Sequence, residues 1–186
     1  MKRLGALVAA LVFFAGCTNA NIPLERTMGL RAKLLAGSGC TFQTKITADY
    51  GDELHSFSMD CQGNGDGEIS FTVTEPETIR GICGKVGDRG GAITFDDQVV
   101  AFPLLADGQI SPVSAPWIFL KTLRGGYVTS CGQADDMIRV AIDDSYEDDA
   151  LHLDIWLDTD DRPVRGEILY KGRRILSLDI EDLQIL

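Results

Sequence analysis

Histidine is nearly missing from this chain, which holds only His55 and His152 among 186 residues. Neutral-pH acid–base chemistry leans on that side chain more than on any other. His55 stands across a predicted hairpin from Ala48, and His152 opens the strand-like run Leu151-His152-Leu153-Asp154, so both read as ordinary strand residues. No G-x-S-x-G, H-E-x-x-H, S-x-x-K or P-loop pattern occurs, which removes the usual nucleophile, zinc-hydrolase and nucleotide-binding classes. Carboxylates are plentiful, but no pair stands in an apolar setting that would drive one pKa away from the other. The chain is expected to be no enzyme; an envelope hydrolase built on its acids ranks behind the two readings given below.

Basic residues are scarce as well, 17 Lys and Arg against 28 Asp and Glu, for a net charge of −11. That balance excludes nucleic acid as a partner and repels anionic headgroups. The acids gather at Asp143, Asp144, Glu147, Asp148 and Asp149 and again at Asp158, Asp160 and Asp161, both reading as solvated loops. No apolar stretch has the roughly 20 residues of a membrane-spanning helix. Metal ligands are not grouped: there is no C-x-x-C and no close histidine pair for zinc. A calcium loop counted from Asp60 fails at its twelfth position, where Phe71 replaces the bidentate Glu. Gly87-Asp88-Arg89-Gly90-Gly91 leads into a strand rather than a helix, so it reads as a turn and not a phosphate cradle. No cofactor is expected.

What the chain does have is an export signal. Lys2 and Arg3 precede the short apolar stretch Leu4–Ala15, which ends in Leu11-Val12-Phe13-Phe14-Ala15-Gly16-Cys17. A basic opening, a short apolar segment and small residues before a cysteine form a lipobox, although Phe14 stands where Leu is usual. Residues 1–16 are read as a lipoprotein signal peptide, Cys17 as the acylated first mature residue, 17–21 as the tether and 22–186 as one domain. Such an acyl anchor (palmitate-like chains) would hold the protein on the outer face of a bacterial cell membrane; two chains are needed for firm attachment. The mature chain keeps 15 basic and 28 acidic residues, a net charge of −13, so fatty acids rather than surface charge would keep it at the bilayer.

The remaining cysteines, Cys40, Cys61, Cys83 and Cys131, are even in number in an exported chain, which makes disulfides an expectation. Four cysteines allow three pairings. Hairpin register favours Cys40 with Cys61 as a diagonal pair, leaving Cys83 with Cys131. Buried free thiols are the other use.

The periodicity predicts a helix from Ile22 to Leu35, then alternation of period two from Thr41. A two-residue turn at Gly51-Asp52 sets Ile46 opposite Phe57, Thr44 opposite Met59 and Phe42 opposite Cys61. Further strands are predicted at 68–74, 79–86, 92–95, 98–102, 127–130, 137–142, 151–157, 164–170 and 175–185, the last with a bulge near Glu181. Trp117–Arg124 reads as a short helix capped by Ser114 and apolar nearly all round. The count, roughly ten antiparallel strands and two helices without β-α-β spacing, predicts an α+β fold with a curled sheet. Phe42, Phe57, Phe71, Phe95, Phe102, Trp117, Phe119 and Trp156 read first as core.

The segment Phe71-Thr72-Val73-Thr74-Glu75-Pro76-Glu77-Thr78-Ile79-Arg80-Gly81-Ile82 resembles the strand, E-P-E corner and returning strand of the bacterial lipoprotein-sorting superfamily, the LolA/LolB-like proteins. The order helix, long hairpin, corner, small hairpin, mid-chain helix and final meander over residues 22–186 is similar too. The lipobox and hairpin cysteines are similar to the membrane-anchored clostridial, GerS-like branch. The resemblance implies a half-open β-barrel whose concave side is plugged by helices and houses an acyl or other lipid-like ligand. Ile46, Phe57, Met59, Phe71, Trp117 and Phe119 would then line the ligand site. The clostridial branch implies an alternative: a scaffold that stabilises a cell-envelope or spore-cortex enzyme of the amidase type, with a role in germination. A shuttle between two membranes is not implied for an anchored chain.

Overall fold

The computed structural model describes residues 22–186 except 104, 107 and 108; the expected signal peptide, the tether and Cys17 lie outside the described residues. Helix α1 (Ile22–Ala36) leads into β1 (Gly39–Asp49), β2 (Leu54–Asn64) and β3 (Ile69–Glu75). A 3-10 turn at Glu77–Ile79 precedes β4 (Cys83–Gly87), β5 (Gly90–Phe95), β6 (Gln98–Phe102) and the small pair β7 (Leu105–Ala106) and β8 (Gln109–Ile110). Helix α2 (Ala115–Gly125) follows, then β9 (Tyr127–Ala134), β10 (Met137–Asp143), β11 (Leu151–Leu157), β12 (Pro163–Tyr170) and β13 (Arg173–Ile185).

Eleven strands form one antiparallel sheet in the order β6-β5-β4-β3-β2-β1-β13-β12-β11-β10-β9. The first and last strands pair at its centre, Ile46 facing Leu178 and Ala48 facing Leu176, and the sheet runs outward from them as two meanders. The C-terminus is stitched in by backbone bonds from Leu186 to Gly39 and from Ser38 to Leu186. β1 alternates strictly: Cys40, Phe42, Thr44, Ile46 and Ala48 are buried, while Gln43 and Lys45 face water. That alternation gives the sheet one apolar and one polar face.

Helix α2 lies on the apolar face and touches β2, β10, β12 and β13 at once. A single two-to-three-turn helix reaches strands of both meanders only if the sheet wraps around it. The architecture is therefore an open half-barrel plugged by α2, with β6 and β9 as the outer strands of the sheet among the described residues. Gly63 makes the plug fit: a β-carbon there would come within 2.7 Å of Leu120 Cδ2. The bulge read near Glu181 is present, since Thr41 pairs with Gln184 and Gln43 with Glu181. Asp182 absorbs the extra residue in the left-handed region, φ 52°.

Three sequence expectations need correction. The stretch 79–86 is not one strand: Ile82 N–H donates to Ile79 and Arg80 N–H to Glu77, so the chain turns before pairing from Cys83. Ser114 makes no side-chain cap; it ends a 3-10 turn (Pro112–Ser114) that runs straight into α2, and its hydroxyl donates back to the Ser111 carbonyl. The acidic loop at 158–161 is not merely solvated, because Asp161 pairs with Arg26 of α1.

Candidate functional site

The six residues expected to line a ligand site share the apolar face. Ile46, Met59, Phe71, Trp117 and Phe119 are each no more than 5% exposed, and Phe57 is half-buried against them. They are packed together with Phe42, Leu123, Ile155, Ile168 and Leu178 in one core. Phe119 meets Phe42 edge to face, ring centroids 6.2 Å apart at 61°, a favourable aromatic geometry. Trp117 donates its indole N–H to the Gly67 carbonyl at 2.9 Å, and Lys121 lies over its ring at 4.7 Å while pairing with Asp88. Arg124 donates to the Asn64 and Gly65 carbonyls. Helix α2 is thus fastened along its length to the β2–β3 turn and β4–β5 turn. Its apolar side chains pack into one core with the concave side of the sheet.

Among the described residues Cys40, Cys61, Cys83 and Cys131 are free, so neither expected bridge is formed. Cys40 pairs across the ladder with Gly63, and Cys61 with Phe42; this diagonal relation puts the α-carbons about 7–8 Å apart, beyond ordinary disulfide reach. Cys83 lies on β4, where its thiol is 3.7 Å from the Thr94 carbonyl. Cys131 lies on the outer strand β9, 3.4 Å from the Thr27 hydroxyl. Burial pushes the Cys40 thiol pKa up, partly opposed by the Gly63 backbone, and pushes Cys61 up strongly, with Asp60 and Cys40 adding to it.

Two regions invite a partner. On the polar face a groove of about 700 Å³ runs across β13, β1, β2, β3, β4 and β5, lined by Gln43, Asp60, Gln62, Thr72, Lys85 and Asp182 among others. At the end of the sheet, β6 reads Gln98-Val99-Val100-Ala101-Phe102 without a charge. Val99 is 67% and Val100 63% exposed, on opposite faces of the strand. Natural edge strands are ordinarily blunted by Lys, Pro or a bulge; within these five residues β6 has none of the three. Beside Val100 the apolar face flares open, with Phe95 exposed and Ile93 half-buried.

The polar face of β10–β13 carries a second arrangement that sequence reading missed. Trp156, taken as core, instead faces outward between its ladder partners Arg139 and Arg165, whose guanidinium carbons are 5.8 and 5.0 Å from its ring. Arg139 donates to the buried Asp154 carboxylate at 2.6 Å, which raises the arginine's pKa further. His152 contacts Asp143 through Nδ1 at 2.6 Å and lies 3.5 Å from Asp154 through Nε2. The two arginines already have carboxylate partners, Arg165 pairing with Glu167, so the arrangement is a closed ladder of charges. Among the described residues no His, Cys, Asp and Glu group is spaced to hold a metal ion, and no helix is long and apolar enough to cross a membrane.

No family model and no curated protein sequence matches the chain. Among solved structures it is similar to a LolA superfamily protein from Nitrosomonas europaea, at 11% identity over 88% of this chain and 93% of that one, with a TM-score of 0.44. It is similar to lipoprotein LppX from Mycobacterium tuberculosis, at 13% identity over 86% and 91%, TM-score 0.40. A chain from the complex of the CwlD amidase with the GerS lipoprotein of Clostridioides difficile matches at 9% identity over 88% and 95%, TM-score 0.43. Each is a likeness in the course of the chain.

Proposed function

We propose that this protein is a membrane-tethered, non-catalytic binding module of the bacterial envelope that works through the outside of its sheet. Acylated Cys17 would hold it on the outer face of the cell membrane. The observation that carries the reading is the uncharged, solvent-exposed edge strand β6 beside a concave side covered by α2. An open edge accepts an extended segment of another protein by backbone pairing, with alternate side chains supplying selectivity. The partner class is a cell-envelope or spore-cortex enzyme of the amidase type, the class implied by the clostridial resemblance. Co-expression of the lipoprotein with such an amidase tests this. The wild-type chain recovers the enzyme from membranes, and the double change Val99→Lys, Val100→Lys abolishes recovery while leaving the circular dichroism unchanged. Full recovery by the lysine variant would contradict the edge.

The flared end of the apolar face favours a second reading. Phe95, Ile93 and Val100 together offer an apolar lip next to β6, and a lipid-like ligand could settle there without displacing α2. A lipid that co-purifies at one equivalent and is lost in Phe95→Ser would favour this reading over the scaffold.

A further inference from the structure

We infer that the outward face of α1 lies in the headgroup region of the membrane that holds the anchor, making the protein a membrane-docked module with one fixed face rather than a domain on a loose string. The inference rests on the tethering of Cys17 proposed above. Four exposed large apolar side chains belong to this one helix, and three of them, Leu24, Met28 and Leu35, at 41, 45 and 56% exposure, form one stripe. At about 100° per residue they fall within roughly 40° of one another on the helix surface. The side chains that α1 buries, Thr27, Leu30 and Leu34, centre roughly a right angle away by the same helical geometry. The helix therefore has two apolar stripes. One is used by the fold and the other is left in water, which is why its sequence does not show a simple two-sided pattern.

What covers the second stripe follows from chain length. Cys17 stands five positions before Ile22, the first residue of α1. Fully extended, that stretch reaches about 17 Å, so acyl chains on Cys17 would keep the helix start within that distance of the glyceryl group. Ile22, also exposed at 48%, lies roughly 140° round the helix from this stripe and is not part of it. An interfacial helix sinks its apolar side roughly 5–10 Å into the headgroup boundary, a depth that side chains of Leu and Met fill. The exposed charges on α1 are Glu25 and Lys33, one of each sign. The mature chain is strongly acidic, so attachment of this face depends on apolar burial and not on attraction to anionic lipid. The docked face belongs to the helix packed on β9 and α2.

The test uses the acylated mature chain reconstituted in phosphatidylcholine vesicles, some carrying nitroxide-labelled phosphatidylcholine. Reporter cysteines Met28→Cys, Leu35→Cys and, on the polar face of β1, Gln43→Cys are labelled with a fluorophore in a Cys83→Ser, Cys131→Ser background. Flotation with the vesicles and the mass of Cys17 report the anchor separately. The inference expects strong nitroxide quenching at positions 28 and 35 and little at 43. Floating protein with stripe labels no more quenched than position 43 would overturn it while leaving the tether intact. Quenching absent, with spectra that change with protein concentration, would assign the stripe to a second copy instead and overturn it as well. A chain that neither floats nor carries acyl mass would overturn both the tether and this inference. As an independent measurement, Leu24→Ser, Met28→Ser, Leu35→Ser in a Cys17→Ala chain should lower partitioning to phosphatidylcholine vesicles by about tenfold or more; an unchanged partition would count against the docked stripe.

Discussion

Phe119 of α2 sets its ring edge to face on Phe42 of β1, at a centroid separation of 6.2 Å, and neither ring is more than 2% exposed. The contact joins the plugging helix to the centre of the sheet, where the first and last strands meet. Removing one partner by Phe119→Ala leaves a void among Gly166, Leu178 and Phe42 and should cost about 3–5 kcal/mol. Chemical denaturation checks it. The same variant opens the concave side, so it should acquire binding of a hydrophobic dye that the parent lacks.

Gly63 is the second point of closure. A methyl group there would press on Leu120 Cδ2 at 2.7 Å and on Cys40 Sγ at 3.3 Å. Gly63→Ala is expected to destabilise the fold by about 1–3 kcal/mol through overpacking. Adding Leu120→Ala should recover part of that loss, so the two changes will not add. A double-mutant cycle on thermal midpoints measures the coupling.

Thiol reactivity separates the cysteines. Burial disfavours the thiolates of Cys40 and Cys61, raising both pKa values, and the reactive species is the thiolate. Native protein should therefore alkylate at Cys83 and Cys131, which are half-buried, while Cys40 and Cys61 react more slowly, because they are buried and their thiolates are disfavoured. Unfolding in denaturant should expose all four. Peptide mass mapping after timed maleimide treatment reads the result.

Arg26 ties α1 to the β11–β12 loop: it pairs with Asp161 and donates to the carbonyls of Asp158 and Thr159 at 2.9 and 2.8 Å. The pair is partly exposed, so Arg26→Ala should change global stability by only about 0–1 kcal/mol. Locally the effect should be larger. Hydrogen exchange is expected to accelerate across α1 while the β1–β13 ladder stays protected.

The hairpin was the most legible part of the chain. Strict alternation from Thr41 and the Gly51-Asp52 turn dictate the register, and the pairs Ile46 with Phe57, Thr44 with Met59 and Phe42 with Cys61 are those found. The bulge opposite Thr41 and Gln43 was readable because the apolar parity of the last strand slips at Glu181. Strand 79–86 misled because Ile79 and Ile82 are β-branched residues favoured in strands, yet they stand three apart and Arg80 donates to the Thr74 carbonyl and helps close a turn.

The candidate site was less legible, for reasons of tertiary placement. Sequence pattern places Ile46, Met59, Phe71, Trp117 and Phe119 on one face, but whether they surround space or each other depends on how closely α2 approaches, which Gly63 and Gly166 permit. Trp156 misled because an aromatic in an apolar strand reads as core. Only its ladder neighbours Arg139 and Arg165 show that its parity faces water. Phe95 and Val100 carry strand-like hydrophobicity without a helix above them, and no local pattern announces that absence of cover.

The most direct test is native mass spectrometry, with lipid extraction, of the mature protein taken from membranes. A filled interior and an acylated Cys17 predict the polypeptide mass plus covalent acyl groups, with no lipid released at one equivalent under gentle activation. Stoichiometric release of a noncovalent lipid from the wild-type chain, lost when α2 is locked in place, would contradict the filled interior and return the concave side to ligand binding.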